Sequence, residues 1–267
     1  MLRKPKRSNV VLESDCKMKQ MTKYYSCLLI ILFVLFSCNS EKAPDCFMAS
    51  GSTITNEIVT PDFSWIDVGE GIEMIVKQGS ETKILVETGA NLLPGISVSV
   101  SDDKLLLRNS NGCSWFRDKN ITKVYVTVPD LKGIYSASQF NISSNGVLHF
   151  DDFAIRSGMY SDTASGIFDL QLECTNLVVE DNQASLYRIS GKATNLTIAF
   201  YSGAERFEGQ NLIAQQVYVF QRSTNDIIVN PQQDIKGNIY STGNVVLKNN
   251  PSLVEIAQHY TGHVVYN

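Results

Sequence analysis

The chain has 267 residues, with 23 Lys/Arg against 27 Asp/Glu and a formal net charge of −4. That length allows one domain with a substantial core or two small ones. No Lys/Arg cluster of the kind that neutralises a phosphate backbone occurs, which sets nucleic acid aside as a partner.

The chain opens with basic residues (Lys17, Lys19, Lys23) followed by an unbroken apolar run from Cys27 to Phe36. This is the pattern of a secretory signal. At ten residues the run is about half the length of a membrane-spanning helix. Leu35-Phe36-Ser37-Cys38 resembles a bacterial lipobox, which makes Cys38 the expected site of lipidation and the new N-terminus, although Phe36 is bulkier than the pattern usually has. Asn39-Ser40 lack the aspartate that favours inner-membrane retention, so the expected location is the outer membrane. Met1 to Lys17 lie upstream of a complete signal and read as a misassigned start, with Met18 or Met21 the real one. Removal of residues 1–37 would leave 230, with 16 Lys/Arg against 25 Asp/Glu and a formal charge of −9.

Residues 38–61 are small and polar, with Pro44 and Pro61, and read as a tether between lipid and fold. Export makes a disulfide chemically accessible. Cys46 and Cys113 are the candidate pair, because both sit in loop-like sequence whereas Cys174 follows the alternating Leu170 and Leu172. The three histidines and the three cysteines beyond Cys38 show no metal-ligand spacing, so neither metal nor cofactor is expected.

After the tether come period-two segments: Ile72, Met74, Val76; Ile84, Val86; Ile96, Val98, Val100; Leu105, Leu107; and Val124, Val126, Val128. Alternation of this kind predicts strands with one buried face. In the second half a motif of small or polar residues followed by an apolar one keeps returning, as in Ala164-Ser165-Gly166-Ile167 and Thr242-Gly243-Asn244-Val245. Its apolar positions are 167, 186, 207, 227, 245 and 264, spaced 19, 21, 20, 18 and 19 residues apart.

A period near twenty without a helical pattern predicts an all-β, parallel β-solenoid, in which each coil stacks on the last and seals a continuous core. Additional β segments are expected at its N-terminal end. The alternative is a β-sandwich with regular hairpins. Only three residues follow Val264. The last coil is therefore expected to be covered by the N-terminal segments or by a second copy of the chain, since a bare coil presents unpaired edge groups.

The stretches Phe63 to Val68, Gly71 to Gly79, Asn91 to Pro94 and Lys104 to Leu107, together with the later Ser/Thr-Gly-Asn-Val turns, resemble the putative auto-transporter adhesin, head GIN domain family of lipoproteins from Bacteroides and related bacteria. The resemblance covers about Phe63 to Asn267, although several coils lack the turn glycine. It implies a right-handed parallel β-solenoid over residues 62–267, no established activity, and no defined catalytic residues to carry over.

Tyr187, Tyr201, Tyr218, Tyr240 and Tyr260 recur in successive coils. They are candidate ligand-facing aromatics, or else half-buried strand residues. Thr163 sits in an Asp162-Thr163-Ala164 triplet that resembles an O-glycosylation sequon. The leading reading is a non-enzymatic envelope adhesin that presents its solenoid surface to a glycan or protein. A polysaccharide-active enzyme is the first alternative, using two of Asp151, Asp152, Asp162, Glu180, Asp181, Glu205, Glu208 and Asp226. A structural or lipid-associated protein is the second.

Overall fold

The computed structural model describes residues 49–111 and 122–267. In chain order the strands are β1 (Thr53–Ile58), β2 (Trp65–Val68), β3 (Ile72–Gln78), β4 (Lys83–Gly89), β5 (Ile96–Ser101), β6 (Lys104–Asn109), β7 (Thr122–Val128), β8 (Gly133–Ser136), β9 (Ile142–His149), β10 (Asp152–Ser157), β11 (Ile167–Asp181), β12 (Leu186–Phe200), β13 (Arg206–Gln221), β14 (Ile227–Ile239), β15 (Val245–Leu247), β16 (Leu253–Gln258) and β17 (Val264–Tyr266). They form the expected parallel β-solenoid, and no helix among the described residues is long and apolar enough to cross a membrane.

Two parallel faces run along the stack. The first carries β7, β3, β9, the leading halves of β11 to β14, then β15 and β17. The second carries β6, β2, β8, β10, the trailing halves of β11 to β14, then β16. The coils do not all stack in chain order, because the coil of β2 and β3 is inserted between that of β6 and β7 and that of β8 and β9.

Register explains the burial. Ile66, Ile134, Ile155, Val179, Ile198 and Val219 face one another across successive coils and are wholly buried. Each such side chain contributes on the order of 1.5–3 kcal/mol of burial. Gly237 continues this row in a left-handed conformation (φ +141°), where an added Cβ would lie 1.9 Å from the Val219 carbonyl oxygen. At the bend between faces, Asn195 Nδ2 donates to Asn176 Oδ1 (2.7 Å) and Asn176 Nδ2 to Asp152 Oδ1 (2.6 Å), a polar ladder that repeats with the coil.

Three expectations need correction. Residues Thr53–Ile58, read as tether, form β1, which pairs antiparallel with β4; the folded unit begins at Ala49. The N-terminal strands do not cover the last coil. Instead β4 lies antiparallel on β7, with β1 outside it, and β5 lies antiparallel on β6, all at the opposite end. Among the described residues β16 pairs with β14 alone and β17 with β15 alone, which leaves Val254, Ile256 and Val264 partly exposed. The repeat is also phased differently in its first coils. Phe168 and Tyr187, not Ile167 and Leu186, line up with Phe207, Ile227, Val245 and Val264.

The turns that follow the second face enclose a buried polar corner. Asp181 accepts the N–H groups of Asn182 (2.7 Å), Gln183 (3.0 Å) and Ser185 (3.2 Å) and the hydroxyl of Tyr187 (2.8 Å), which fixes that turn from within. In a later turn Gln221 does comparable work, accepting from Ser223 N–H and donating to the Asn225 carbonyl. Between them Glu205 is wholly buried, and neither of its carboxyl oxygens has a hydrogen-bond partner. Burial, aided by the charge of Asp181, pushes its pKa up to about 8.

A carboxyl that stays protonated in the fold but ionises in the unfolded chain costs stability as pH rises from about 4.5 to about 8. The wild-type Tm should therefore fall across that window. Glu205→Gln cannot ionise, and it should flatten the fall and recover about 1 kcal/mol or more at the alkaline end, roughly 3 °C in Tm. Parallel melting curves of the two proteins across the window would contradict this.

Candidate functional site

On the second face the outward row runs Asp67, Tyr135, Arg156, Glu180, one residue per coil. Two residues earlier on β2, Trp65 also points outward and stands in register with Gly133 of β8 and Ala154 of β10. The indole lies across Gly133, where an added Cβ would sit 2.4 Å from its Cζ3. The glycine is thus a space requirement, and it lets Trp65 reach the Arg156 guanidinium, whose Cζ is 5.2 Å from the ring centroid.

The turn after β10 spans nine residues, Gly158 to Gly166, against four after β11. The extra length lifts Tyr160 to 91% exposure. Tyr160 stays anchored: its ring centroid is 5.9 Å from that of Tyr135, and its N–H donates to Tyr135 Oη at 3.2 Å. Together these residues line a cleft of about 670 Å³ with Lys104, Met159 and Ile66.

Three of the cleft's charged groups, Asp67, Arg156 and Glu180, are held by ion pairs. Arg108 binds Asp67 with both terminal nitrogens, at 3.0 and 2.9 Å. Arg156 Nε donates to Glu180 Oε2 and Tyr201 Oη to Glu180 Oε1, each at 2.7 Å. Burial alone would raise the Glu180 carboxyl, but those two hydrogen bonds and the Arg156 charge outweigh it and hold the group below the usual carboxylate range. Burial and the bond to Glu180 push the Tyr201 phenol up to about 12. The result is a fixed carboxylate and a fixed guanidinium between aromatic rings, a mixed lining with few convergent polar groups.

Of the five tyrosines expected to face a ligand, Tyr187 is in the core and is corrected. It is wholly buried and stacks on Phe168 at 4.9 Å, and its hydroxyl is satisfied internally by Asp181. Tyr201 is half-buried at the edge of the cleft network, while Tyr218, Tyr240 and Tyr260 are 45%, 42% and 63% exposed. Thr163 lies in the long turn with Tyr160, exposed, its hydroxyl donating to the Ala137 carbonyl at 3.0 Å. Cys38, Cys46 and Cys113 fall outside the described residues. Cys174 is half-buried, and burial pushes its thiol up to about 12.

His259 and His263 turn to Tyr240 and Gln258 respectively, and no cluster of metal-ligating groups occurs among the described residues. Of the eight acids weighed for catalysis only Glu180 lines the cleft. Trp65, Tyr135, Tyr160 and Arg156 were not among the expected site residues. The available signal was the alternation Trp65-Ile66-Asp67-Val68, which buries Ile66 and Val68 and so turns a tryptophan outward.

Because the space above Gly133 is taken by the Trp65 indole and the Ala154 carbonyl oxygen, each 2.4 Å from an added Cβ, Gly133→Ala should displace the indole and lose the Arg156 contact. The overpacking should cost about 1–3 kcal/mol in denaturant unfolding. Trp65 emission, read in a Trp115→Phe background, should shift to the red. An unshifted spectrum at unchanged stability would show that the indole does not rest there.

A "putative adhesin" from Bacteroides fragilis has the same fold, with a TM-score of 0.73 at 21% identity, covering 82% of this chain and 100% of that one. A "putative lipid binding protein" from Parabacteroides distasonis follows, with a TM-score of 0.63 at 15% identity over 82% of this chain and 99% of that one. A "putative adhesin" from Parabacteroides distasonis gives 0.58 at 18% identity, again over 82% and 99%. At these identities the likeness speaks for the fold alone. No curated protein matches the sequence. The model of the family described as putative auto-transporter adhesin, head GIN domain matches residues 62–251, so this chain belongs to the head GIN domain family.

Proposed function

We propose that the protein is a non-enzymatic adhesin of the cell envelope, lipid-anchored at Cys38 in the outer membrane, whose cleft binds a glycan. The observation that carries the reading is the cleft itself, where Trp65, Tyr135 and the 91%-exposed Tyr160 surround a fixed Arg156–Glu180 pair. Aromatic faces pack on the apolar face of a sugar ring, and fixed charged groups order its hydroxyls by hydrogen bonds stronger than neutral ones. Family membership and the neighbours named as adhesins support a binding role.

The electrostatics weigh against the enzymatic alternative. Glycoside hydrolysis needs a carboxylic acid that keeps its proton near neutral pH. In the cleft, Glu180 is held ionised by Arg156 and Tyr201, and Asp67 is clamped by Arg108. The carboxyl with the proton, Glu205, is sealed in the turn corner away from solvent. The neighbour named for lipid binding favours the lipid-associated alternative. A lining of Asp67, Lys104, Arg156 and Glu180 suits a hydroxyl-rich ligand better than an acyl chain.

A glycan array probed with the folded protein should give specific hits. Trp65→Ala, at a half-buried position, and Tyr160→Ala, at an exposed one, each checked for folding by circular dichroism, should each weaken them about tenfold, the loss of about 1.4 kcal/mol of stacking. A blank array, or hits indifferent to both substitutions, would overturn the assignment of the cleft. For the anchor, Cys38→Ala should move the protein from the membrane fraction to the soluble fraction and abolish incorporation of labelled fatty acid. Retention of label would place the lipid elsewhere.

A further inference from the structure

We infer that the cleft is one end of a longer track, and that the ligand is a linear glycan chain laid parallel to the solenoid axis; this rests on the reading of the cleft as a glycan site. The outward row that carries Tyr135, Arg156 and Glu180 continues through Ala199 and Phe220 to Asn238. Two positions beyond it are Tyr201, Arg222, Tyr240 and His259. Their backbone N–H groups donate to Asp181, Phe200, Gln221 and Ile239 of the preceding coils at 2.9, 3.1, 2.8 and 2.8 Å. Register therefore persists past the strand ends.

The rings along these rows touch in series. Phe220 is 5.8 Å from Tyr201 and 5.3 Å from Tyr240, and His259 stacks on Tyr240 at 4.4 Å and 5°. The series joins the cleft without a break, because Glu180 holds Tyr201 on one oxygen and Arg156 on the other, and Arg156 covers Trp65. From β2 to β16 the track crosses seven strand spacings, roughly 34 Å at about 4.8 Å each.

The geometry selects the ligand's form. Along a parallel stack the backbone N–H and C=O groups are paired from coil to coil, so this face offers an extended peptide no free strand edge to pair with. It offers aromatic rings at intervals, Tyr240 among them at 42% exposure, and polar side chains beside them, among them Arg222 and Lys236. A linear glycan matches both, with successive rings that each have an apolar face and a hydroxyl edge and are about as long as one strand spacing. Such a chain gains a contact with each added residue until it spans the track, whereas a ligand confined to the cleft gains nothing after the first few.

The test is calorimetric titration of the full chain with linear oligosaccharides of glucose, mannose, xylose, N-acetylglucosamine and uronate units, each from disaccharide to octasaccharide. Affinity should rise at least about tenfold from disaccharide to hexasaccharide. Tyr240→Ala and His259→Ala, checked for folding by circular dichroism, should remove most of that rise and leave disaccharide binding within about twofold. Disaccharide binding that depends on Trp65 but does not grow with length, or growth unaffected by both substitutions, would overturn the track and leave the cleft assignment standing. No binding by any series would overturn both.

Discussion

The structure depends on parallel strands stacking in register, coil upon coil. Side chains alternate along a strand, so a slip of one residue would turn every inward Ile, Val and Phe to solvent and bring charged residues in. With one register allowed, side chains on each outward row are also fixed to within a strand spacing of their neighbours. The same constraint that seals Ile66, Ile134, Ile155 and Val179 inside places Asp67, Tyr135, Arg156 and Glu180 side by side outside.

The cleft arises where that regularity is broken twice. The coil of β2 and β3 is inserted between two others, and this brings Trp65, early in the chain, against Gly133 and Arg156. The turn after β10 is longer than its neighbours and raises Tyr160 over Tyr135. Insertion supplies the floor and the long turn supplies the wall. The remaining coils, with short turns, keep a flatter face on which rings touch one another. Inside the same corner the polar groups are mostly satisfied by the turns they hold. Glu205 is the exception, a buried acid whose retained proton costs the fold stability as pH rises from about 4.5 to about 8.

Much of the fold was legible because a twenty-residue period with alternating apolar residues has few physical solutions. Where legibility failed, the cause was register or topology. Aligning Gly166-Ile167 with Asn244-Val245 put Ile167 and Leu186 in the inward row and so turned Tyr187 outward. The true row passes one residue later, and Tyr187 is acceptable inside because Asp181 takes its hydroxyl. Period-two alternation assigned Thr53–Ile58 no role, since its burial pattern is that of a largely exposed outer strand. The cleft was illegible for a different reason. Its residues come from β2, β8, β10 and the long turn, and nothing local in the chain announces that β2 stacks on β8 rather than standing apart from it. The cleft's aromatic residues could be listed from sequence, but their meeting point could not.

A crystal structure of the protein with its glycan bound would show whether the cleft is the ligand site. A sugar ring should be seated between Trp65 and Tyr160, hydrogen-bonded to Arg156 or Glu180. A glycan resting on the first face or at the β16–β17 edge, with the cleft empty, would contradict it.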